Sequence, residues 1–209
     1  MALGLLGNKI KMTQIFDVRG NTVPVTIIKA GPCYVTQIKS IKDCGYNAIQ
    51  LGYSELESNS KTLTKPELGH FSSKNLVPFK YLKEFHIDKI ESYQIGQKYT
   101  TELFTIGQKV NITSTSIGKG NAGNIKKNNF SRGPMSHGSK HHRLQGSIGA
   151  GTTPGRVLPG KKMPGRLGGK KCTISNLTII DIVNEENLII IKGSIPGKLG
   201  NLITIKLKE

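Results

Sequence analysis

The stretch around which this chain is organised runs from residue 118 to residue 171 and reads GKGNAGNIKKNNFSRGPMSHGSKHHRLQGSIGAGTTPGRVLPGKKMPGRLGGKK. It is rich in glycine and in Lys, Arg and His. It lies inside a wider acid-free window, because no Asp or Glu occurs between Glu102 and Asp181. That window holds 13 Lys and Arg residues, so it carries +13 of the chain's formal net charge of +17. Charge segregated in this way predicts a polyanionic partner.

The composition limits the class of protein. A chain of 209 residues can bury a core in one domain, or in one domain with an appendage. A pI near 9.9 makes nucleic acid the leading class of partner, with an anionic membrane surface second. Three cysteines without a C-x-x-C pair predict reduced thiols and no zinc site. No apolar run suits a signal peptide or a membrane span, so we expect no membrane partner and function in the compartment of synthesis.

Outside the basic window, short β-branched runs alternate with turn residues about every ten positions. These runs predict strands at 3–6, 10–16, 22–29, 34–39, 46–53, 98–104, 109–116, 172–183, 188–192 and 202–207. Tyr81, Leu82 and Phe85 have helix-like spacing and predict a short helix. The pattern favours a small barrel or sandwich. We therefore predict one β-domain made from both ends of the chain, with the basic window looping out between them.

Two motifs in the window resemble nucleotide sites. Residues 118–123 match G-x-G-x-x-G, but the residues from Asn124 onward lack helical apolar periodicity, and no acid follows to hold a ribose. Residues 155–162 nearly match a P-loop, but Lys162 stands where a Ser or Thr should bind magnesium, and Pro164 with Gly165 argues against a following helix. We expect neither a dinucleotide site nor NTPase activity.

The histidines of the window do not predict a metal site. His137, His141 and His142 are flanked by Lys140 and Arg143, and no carboxylate or cysteine is near in sequence. The missing carboxylates also exclude Asp- or Glu-based acid–base catalysis within the window. We expect these histidines to face RNA, and we expect no metal, no cofactor, no small-molecule substrate and no enzymatic activity.

The distribution of aromatic residues indicates how RNA would be bound. Phe130 is the last aromatic residue of the chain, so the basic residues after it have no rings on which bases could stack. Recognition should therefore be of backbone, shape and 2′-hydroxyls. A disordered, non-specific tail is the alternative, but the window is internal and contains three Pro-Gly pairs. We expect it to be mobile alone and fixed by RNA.

Several motifs, in order along the whole chain, resemble one family. They are GLLGNKIKMTQIF (4–16), VPVT (23–26), GYNAIQ (45–50), KPELGH (65–70), TSIGKGNAG (115–123), SHGS (136–139), TPGRV (153–157) and GKKM (160–163). Together they resemble bacterial and plastid members of the ribosomal protein L3 family of the large subunit. The family usually has Gly at the position of Lys11 and Arg where this chain has Lys126 and Lys127. Some bacterial members have a methylated Gln at the position of Thr152, so that modification is not expected here.

The resemblance implies a mainly β fold: a six-stranded translation-protein β-barrel with a small α-containing insertion and a long irregular basic extension. We assign 1–117 and 172–209 to the barrel domain, about 55–97 to the insertion, and 118–171 to the extension. The resemblance further implies direct binding to 23S-type rRNA near its 3′ end, nucleation of subunit assembly and support of the peptidyl-transferase region. Proteins of the L14 and L19 families would be neighbours. We expect a plastid (chloroplast) ribosome, with a bacterial cytoplasm as the alternative.

The predicted contacts with rRNA are basic side chains and glycines that let the backbone approach phosphates. The basic residues are Lys119, Lys126, Lys127, Arg132, His137, Lys140, His141, His142, Arg143, Arg156, Lys161, Lys162, Arg166, Lys170 and Lys171. The glycines are Gly118, Gly120, Gly123, Gly155, Gly160 and Gly165. A general RNA chaperone, or a nucleotide-dependent enzyme that uses a Gly-rich loop, are the alternative functions.

Overall fold

The computed structural model describes residues 4–57, 62–88 and 90–208. In chain order the strands are β1 (Gly4–Phe16), β2 (Thr22–Ala30), β3 (Cys33–Lys39), β4 (Ala48–Glu55), β5 (Phe79–His86), β6 (Lys98–Tyr99), β7 (Lys109–Thr115), β8 (Asn121–Ala122), β9 (Gly165–Arg166), β10 (Lys171–Val183), β11 (Leu188–Lys192) and β12 (Leu202–Leu207). The helices are α1 (Ile41–Cys44), α2 (Lys65–Ser72) and α3 (Asn124–Asn128), with a 3₁₀ turn at Thr101–Leu103. The mainly β class is confirmed.

Six strands from both ends of the chain form a closed barrel in the order β1, β12, β7, β10, β11, β2. Every neighbouring pair is antiparallel, including the pair of β2 with β1 that closes the ring. The barrel core is aliphatic: Ile28, Ile112, Ile189 and Ile205 are fully buried. Closure leaves no long unpaired sheet edge around the barrel. The two C-terminal strands pair with N-terminal strands, β12 with β1 and β11 with β2, but they do not pair with each other as a hairpin.

A second sheet, in the order β5, β4, β3, β6, packs against the barrel and shares its core. Val35, Leu51 and Phe85 of this sheet belong to the same buried cluster as Leu5 of β1. Cys33 lies in this cluster, and burial raises the pKa of its thiol to about 12, so the thiol stays protonated. Cys33, Cys44 and Cys172 are all free.

Several sequence-based assignments are corrected. Residues 34–39 and 46–53 belong to the second sheet, so the insertion into the barrel begins at Cys33 and not near residue 55. The strands predicted at 3–6 and 10–16 are one strand, and Leu3 lies outside the described residues. The strand predicted at 98–104 covers only Lys98–Tyr99, because a 3₁₀ turn follows it.

The helix predicted around Tyr81 is wrong, because those residues form β5 and pair with β4. A helix does form earlier in the chain, before β5, at α2 (Lys65–Ser72). It begins with a capping box in which the Thr64 backbone N–H donates to the Glu67 carboxylate at 2.8 Å, and Pro66 occupies its first turn.

The chain divides into two compact units. One contains the barrel and the second sheet, up to Thr115 and again from Lys171; the other is Ser116–Lys170, here called the basic arm. Lys171, which the sequence assigns to the extension 118–171, is instead the first residue of β10 and pairs with Thr115. Within the described ranges, no helix has the length and apolar character that crossing a membrane requires.

Candidate nucleic-acid interface

The basic arm starts and ends as a narrow antiparallel ribbon. β8 pairs with β9, and the Ser116 N–H donates to the Lys170 carbonyl at 2.9 Å. Further along, the Lys119 N–H donates to the Leu167 carbonyl at 2.8 Å. These bonds satisfy the backbone of both segments, so the base of the arm has a defined conformation.

A buried asparagine organises the next part of the arm. Asn124 is 3% exposed, and its Nδ2 donates to Gln145 Oε1 at 2.9 Å and to the Lys162 carbonyl at 3.3 Å. Its Oδ1 accepts a bond of 2.7 Å from Asn128 Nδ2, one turn along α3. The side chain therefore joins three separate parts of the arm. A buried amide satisfied in this way stabilises one specific arrangement.

The expectation that no helix follows the G-x-G-x-x-G motif is wrong, because α3 begins directly after Gly123. The helix has five residues, only slightly more than one turn, and no acidic residue follows it in the arm. A dinucleotide site needs a full crossover helix and an acid for the ribose, so the motif does not form one. After Lys162 the described chain enters β9 without a helix, which is unlike a P-loop.

The basic side chains of the arm are almost all directed to solvent. Lys127 is the exception: it is half-buried, and its Nζ donates to the Met163 carbonyl at 3.3 Å. The other predicted basic residues are exposed: Lys119, Lys126, Arg132, His137, Lys140, His141, His142, Arg143, Arg156, Lys161, Lys162, Arg166, Lys170 and, in β10, Lys171. Since the arm contains no Asp or Glu, no carboxylate of its own neutralises them.

The predicted glycines fall into two groups. Gly120, Gly155 and Gly160 have positive φ, so each of these three has a reason within the chain to be glycine. Gly118, Gly123 and Gly165 have no positive φ. A Cβ at Gly118 or Gly123 would meet no atom within 4 Å, and one at Gly165 would meet only Lys127 Nζ, the end of a side chain that can move aside. Close approach of an outside partner is therefore a specific explanation only for Gly118, Gly123 and Gly165.

The arm has an open concavity of about 910 Å³ beside α3. His141 and Arg143 supply positive and hydrogen-bonding groups to its lining, and Gly123 exposes backbone there. No Phe, Tyr or Trp lines it. Among the described residues, no group of three or more His, Cys, Asp or Glu side chains is placed to hold a metal ion. The surface suits a polyanion that presents phosphate and hydroxyl groups.

Comparison with known proteins shows to which family the chain is similar. A family model described as ribosomal protein L3 matches residues 81–187, which include the whole arm and the strands that enter and leave it. The chain belongs to the ribosomal protein L3 family. The resemblance noted in the sequence is therefore confirmed.

The relatives cover almost the full length of the chain. "Large ribosomal subunit protein uL3c" of Phaeodactylum tricornutum is 60% identical over 98% of both chains. The uL3c of Gracilaria tenuistipitata is 57% identical over 98% of this chain and 99% of that protein. The cyanobacterial uL3 of Trichormus variabilis is 53% identical, with 98% and 96% coverage. L3 proteins are named as ribosomal proteins, and the family is not enzymatic.

Two features of the molecule were missed in the sequence. The structural role of Asn124 was missed because it depends on hydrogen bonds to Gln145 and to the Lys162 carbonyl. Both partners are distant from Asn124 along the chain, so no local pattern in the sequence indicates these bonds. The grouping of Lys83, Lys171 and Lys206 was missed because these lysines come from β5 of the second sheet and from β10 and β12 of the barrel. No local sequence signal connects such residues.

Proposed function

We propose that the protein is a structural constituent of the large ribosomal subunit, and that its basic arm binds large-subunit rRNA. Membership of the L3 family and the names of the relatives support the first statement. The charge and exposure of the arm support the second. As the family implies, the bound region is near the 3′ end of 23S-type rRNA, where the protein nucleates subunit assembly and supports the peptidyl-transferase region. The barrel is then of the translation-protein type.

One observation carries the RNA-binding proposal. The arm has eleven Lys and Arg residues, three His and no acid, and every one of these basic side chains except Lys127 is exposed. Unneutralised positive charge on a folded ribbon attracts phosphate groups and releases their counterions on binding. The base of the ribbon holds its charges in fixed positions, which a disordered basic tail does not do.

The mode of recognition is of backbone and shape. Phe130 is the only aromatic residue of the arm and is half-buried. Base stacking of the kind found in RRM and OB-type modules therefore has no platform. Ammonium and guanidinium groups contact phosphates, and the open Gly118 and Gly123 let backbone amides approach the sugar–phosphate chain.

The partners and location follow from the family. Proteins of the L14 and L19 families are neighbours in the subunit. The ribosome is that of a plastid, since algal relatives named uL3c match at 60% and 57% identity and the cyanobacterial uL3 at 53%. No small molecule is a substrate.

The salt dependence of binding tests the proposal. Full-length protein is titrated with a transcript of the 3′ region of large-subunit rRNA at several salt concentrations. The variant Lys161→Gln, Lys162→Gln, Arg166→Gln removes three exposed charges of the arm, and its slope of log K against log salt should fall by about 2–3. The matched control is Lys42→Gln, Lys98→Gln, Lys192→Gln, three exposed lysines outside the arm.

Three results would contradict the proposal. Wild-type binding that is nearly independent of salt would exclude the electrostatic mechanism. Equal affinity for random RNA, with absence from purified large subunits, would favour a general RNA chaperone. Saturable binding of ATP or NAD in titration calorimetry would favour a nucleotide-dependent enzyme.

A further inference from the structure

The outer face of the barrel carries a row of hydroxyl groups across three strands. Thr204 of β12 pairs with Thr113 of β7, and Thr113 pairs with Thr173 of β10. Directly paired residues point to the same face of a sheet. The Oγ1 atoms of Thr113 and Thr173 form a hydrogen bond of 2.8 Å. Three hydroxyls therefore lie side by side, with Thr173 exposed and Thr204 buried at the inner end of the row.

Lysines flank this row on both sides. Lys206 stands two residues beyond Thr204 on β12, and Lys171 two residues before Thr173 on β10, so the period of two places both on the same outer face. Both side chains are exposed. The Lys206 Nζ lies 5.5 Å from the centre of the Phe85 ring, which is 1% exposed. The buried ring supports the lysine stem but offers no surface to a base.

A third lysine reaches the same place from the second sheet. Lys83 is half-buried on β5, on the same side of that strand as Phe85. Burial lowers the pKa of Lys83, and the positive charges of Lys171 and Lys206 lower it further. Because Lys206 Nζ lies over Phe85, two residues along from Lys83, and Lys171 shares the outer barrel face with Lys206, the three ammonium groups lie on one surface.

No carboxylate neutralises this group among the described residues. β7 and β12 contain no Asp or Glu, and the only acid of β10, Asp181, is eight residues beyond Thr173. Glu84 follows Lys83 in β5, but it points to the other face, where it binds Lys39 and Tyr46. Like charges brought together without a counter-ion destabilise each other. The group is therefore arranged to receive an anion.

We propose that this lysine–threonine face, formed by Lys83, Lys171, Lys206, Thr113 and Thr173, binds the sugar–phosphate backbone of large-subunit rRNA. The proposal rests on the proposed function and adds a second RNA-binding surface, carried by the barrel unit and not by the arm. The ammonium groups bind phosphate oxygens, while the threonine hydroxyls donate to or accept from 2′-hydroxyl groups. Since the face exposes no aromatic ring, bases are not read by stacking.

The test compares two triple variants that lose the same charge. Lys83→Gln, Lys171→Gln, Lys206→Gln removes the lysines of the face, and Lys42→Gln, Lys98→Gln, Lys192→Gln is the control. The first variant should reduce the salt slope for the 3′ rRNA transcript by about 2–3 relative to the control. It should also lose one hydroxyl-radical footprint that the arm variant Lys161→Gln, Lys162→Gln, Arg166→Gln retains.

A second variant and a thermal unfolding measurement distinguish loss of rRNA binding from loss of folding. Thr113→Val, Thr173→Val keeps the charge and the side-chain shape, and it should weaken rRNA binding about 5-fold through loss of hydroxyl contacts. The lysine variant should unfold at a temperature no lower than wild type, because mutual repulsion is relieved.

The two proposals fail separately. If wild-type protein does not bind the transcript, the proposed function fails. If wild-type protein binds it but the lysine variant matches the control in slope and footprint, only the lysine–threonine face is overturned. An acidic protein partner at this face would give that second result, and it would therefore also overturn the proposal.

Discussion

Glu84 shows how a single carboxylate is held in the β-domain. Lys39 Nζ donates to its Oε1 at 2.6 Å, and the Tyr46 hydroxyl donates to its Oε2 at 2.9 Å. Chiefly through the bond from Lys39, the pKa of Glu84 lies below its ordinary value of 4.5. The pair links β3 to β5 across β4, so it connects strands that do not pair directly.

The variant Glu84→Gln tests this link through its pH dependence. Because the folded-state pKa is lowered, the ionised group stabilises the fold above about pH 4.5, and this contribution disappears as pH falls through the folded pKa. The variant should be less stable than wild type by roughly 0.5 kcal/mol at pH 7, since the pair is partly exposed. The two curves, measured by urea unfolding, should converge as pH falls through the lowered folded-state pKa of Glu84. Glu91→Gln, at an exposed position, is the control; a constant gap across the pH range would contradict the assignment.

Gly168 and Gly118 give a matched pair of glycine substitutions at the base of the arm. Gly168 has φ +71°, and a Cβ there would overlap the Ile117 carbonyl oxygen. We expect Gly168→Ala to increase hydrogen exchange at the Lys119 and Gly169 amides, which bond across the ribbon. Gly118→Ala should leave exchange unchanged and weaken rRNA binding, because only an outside partner requires the space. Equal exchange in both variants would contradict the structural role of Gly168.

At the scale of elements, α3 depends on a polar contact and not on apolar burial. Asn124→Ala removes the bonds to Gln145 and to the Lys162 carbonyl and leaves these groups without that partner. We expect protection of the Lys127 amide, which bonds the Gly123 carbonyl, to fall about 10-fold. The amides of β1 and β12 should exchange as in wild type. Lys126→Ala, an exposed position on the same helix, is the control, and loss of protection there would point to a general effect on α3.

β5 shows where pattern reading fails. Tyr81, Leu82 and Phe85 match helical spacing, but Phe79, Tyr81, Lys83 and Phe85 also alternate along one face of a strand. A segment of eight residues fits both periods, and pairing with β4 decides between them. For α2 the local signal was present: Thr64 and Glu67 form a capping box around Pro66, and the prediction overlooked it.

At the scale of the whole molecule, the sequence predicted what depends on local composition. The charge segregation located the arm, and β-branched runs located β11 and β12. The sequence did not predict contacts between residues that are far apart along the chain. These are the pairing of the second sheet from Cys33 to Tyr99, the hydrogen bonds of Asn124, and the proximity of Lys83 to Lys206. Such contacts are determined by the fold as a whole.

The arm and the barrel unit should be separable. Thr115 and Lys171 are direct partners in an antiparallel pair, so an Asn-Gly turn can join them in place of residues 116–170. The shortened chain should unfold at a temperature at least equal to that of wild type, because a shorter loop costs less entropy. Its rRNA affinity should fall and its salt slope should become shallower. Failure of the shortened chain to fold would show that the barrel unit needs the arm.

The position of β12 has a consequence for synthesis. β12 lies between β1 and β7 in the ring, so the strand made first and the strand before the arm cannot be bridged until residues 202–207 have been translated. The arm, and the β10 strand that follows it and pairs with β7, are therefore complete before the barrel can close. A nascent chain therefore emerges with its whole cationic segment while its barrel is still open, and closure of the barrel is a late step of folding.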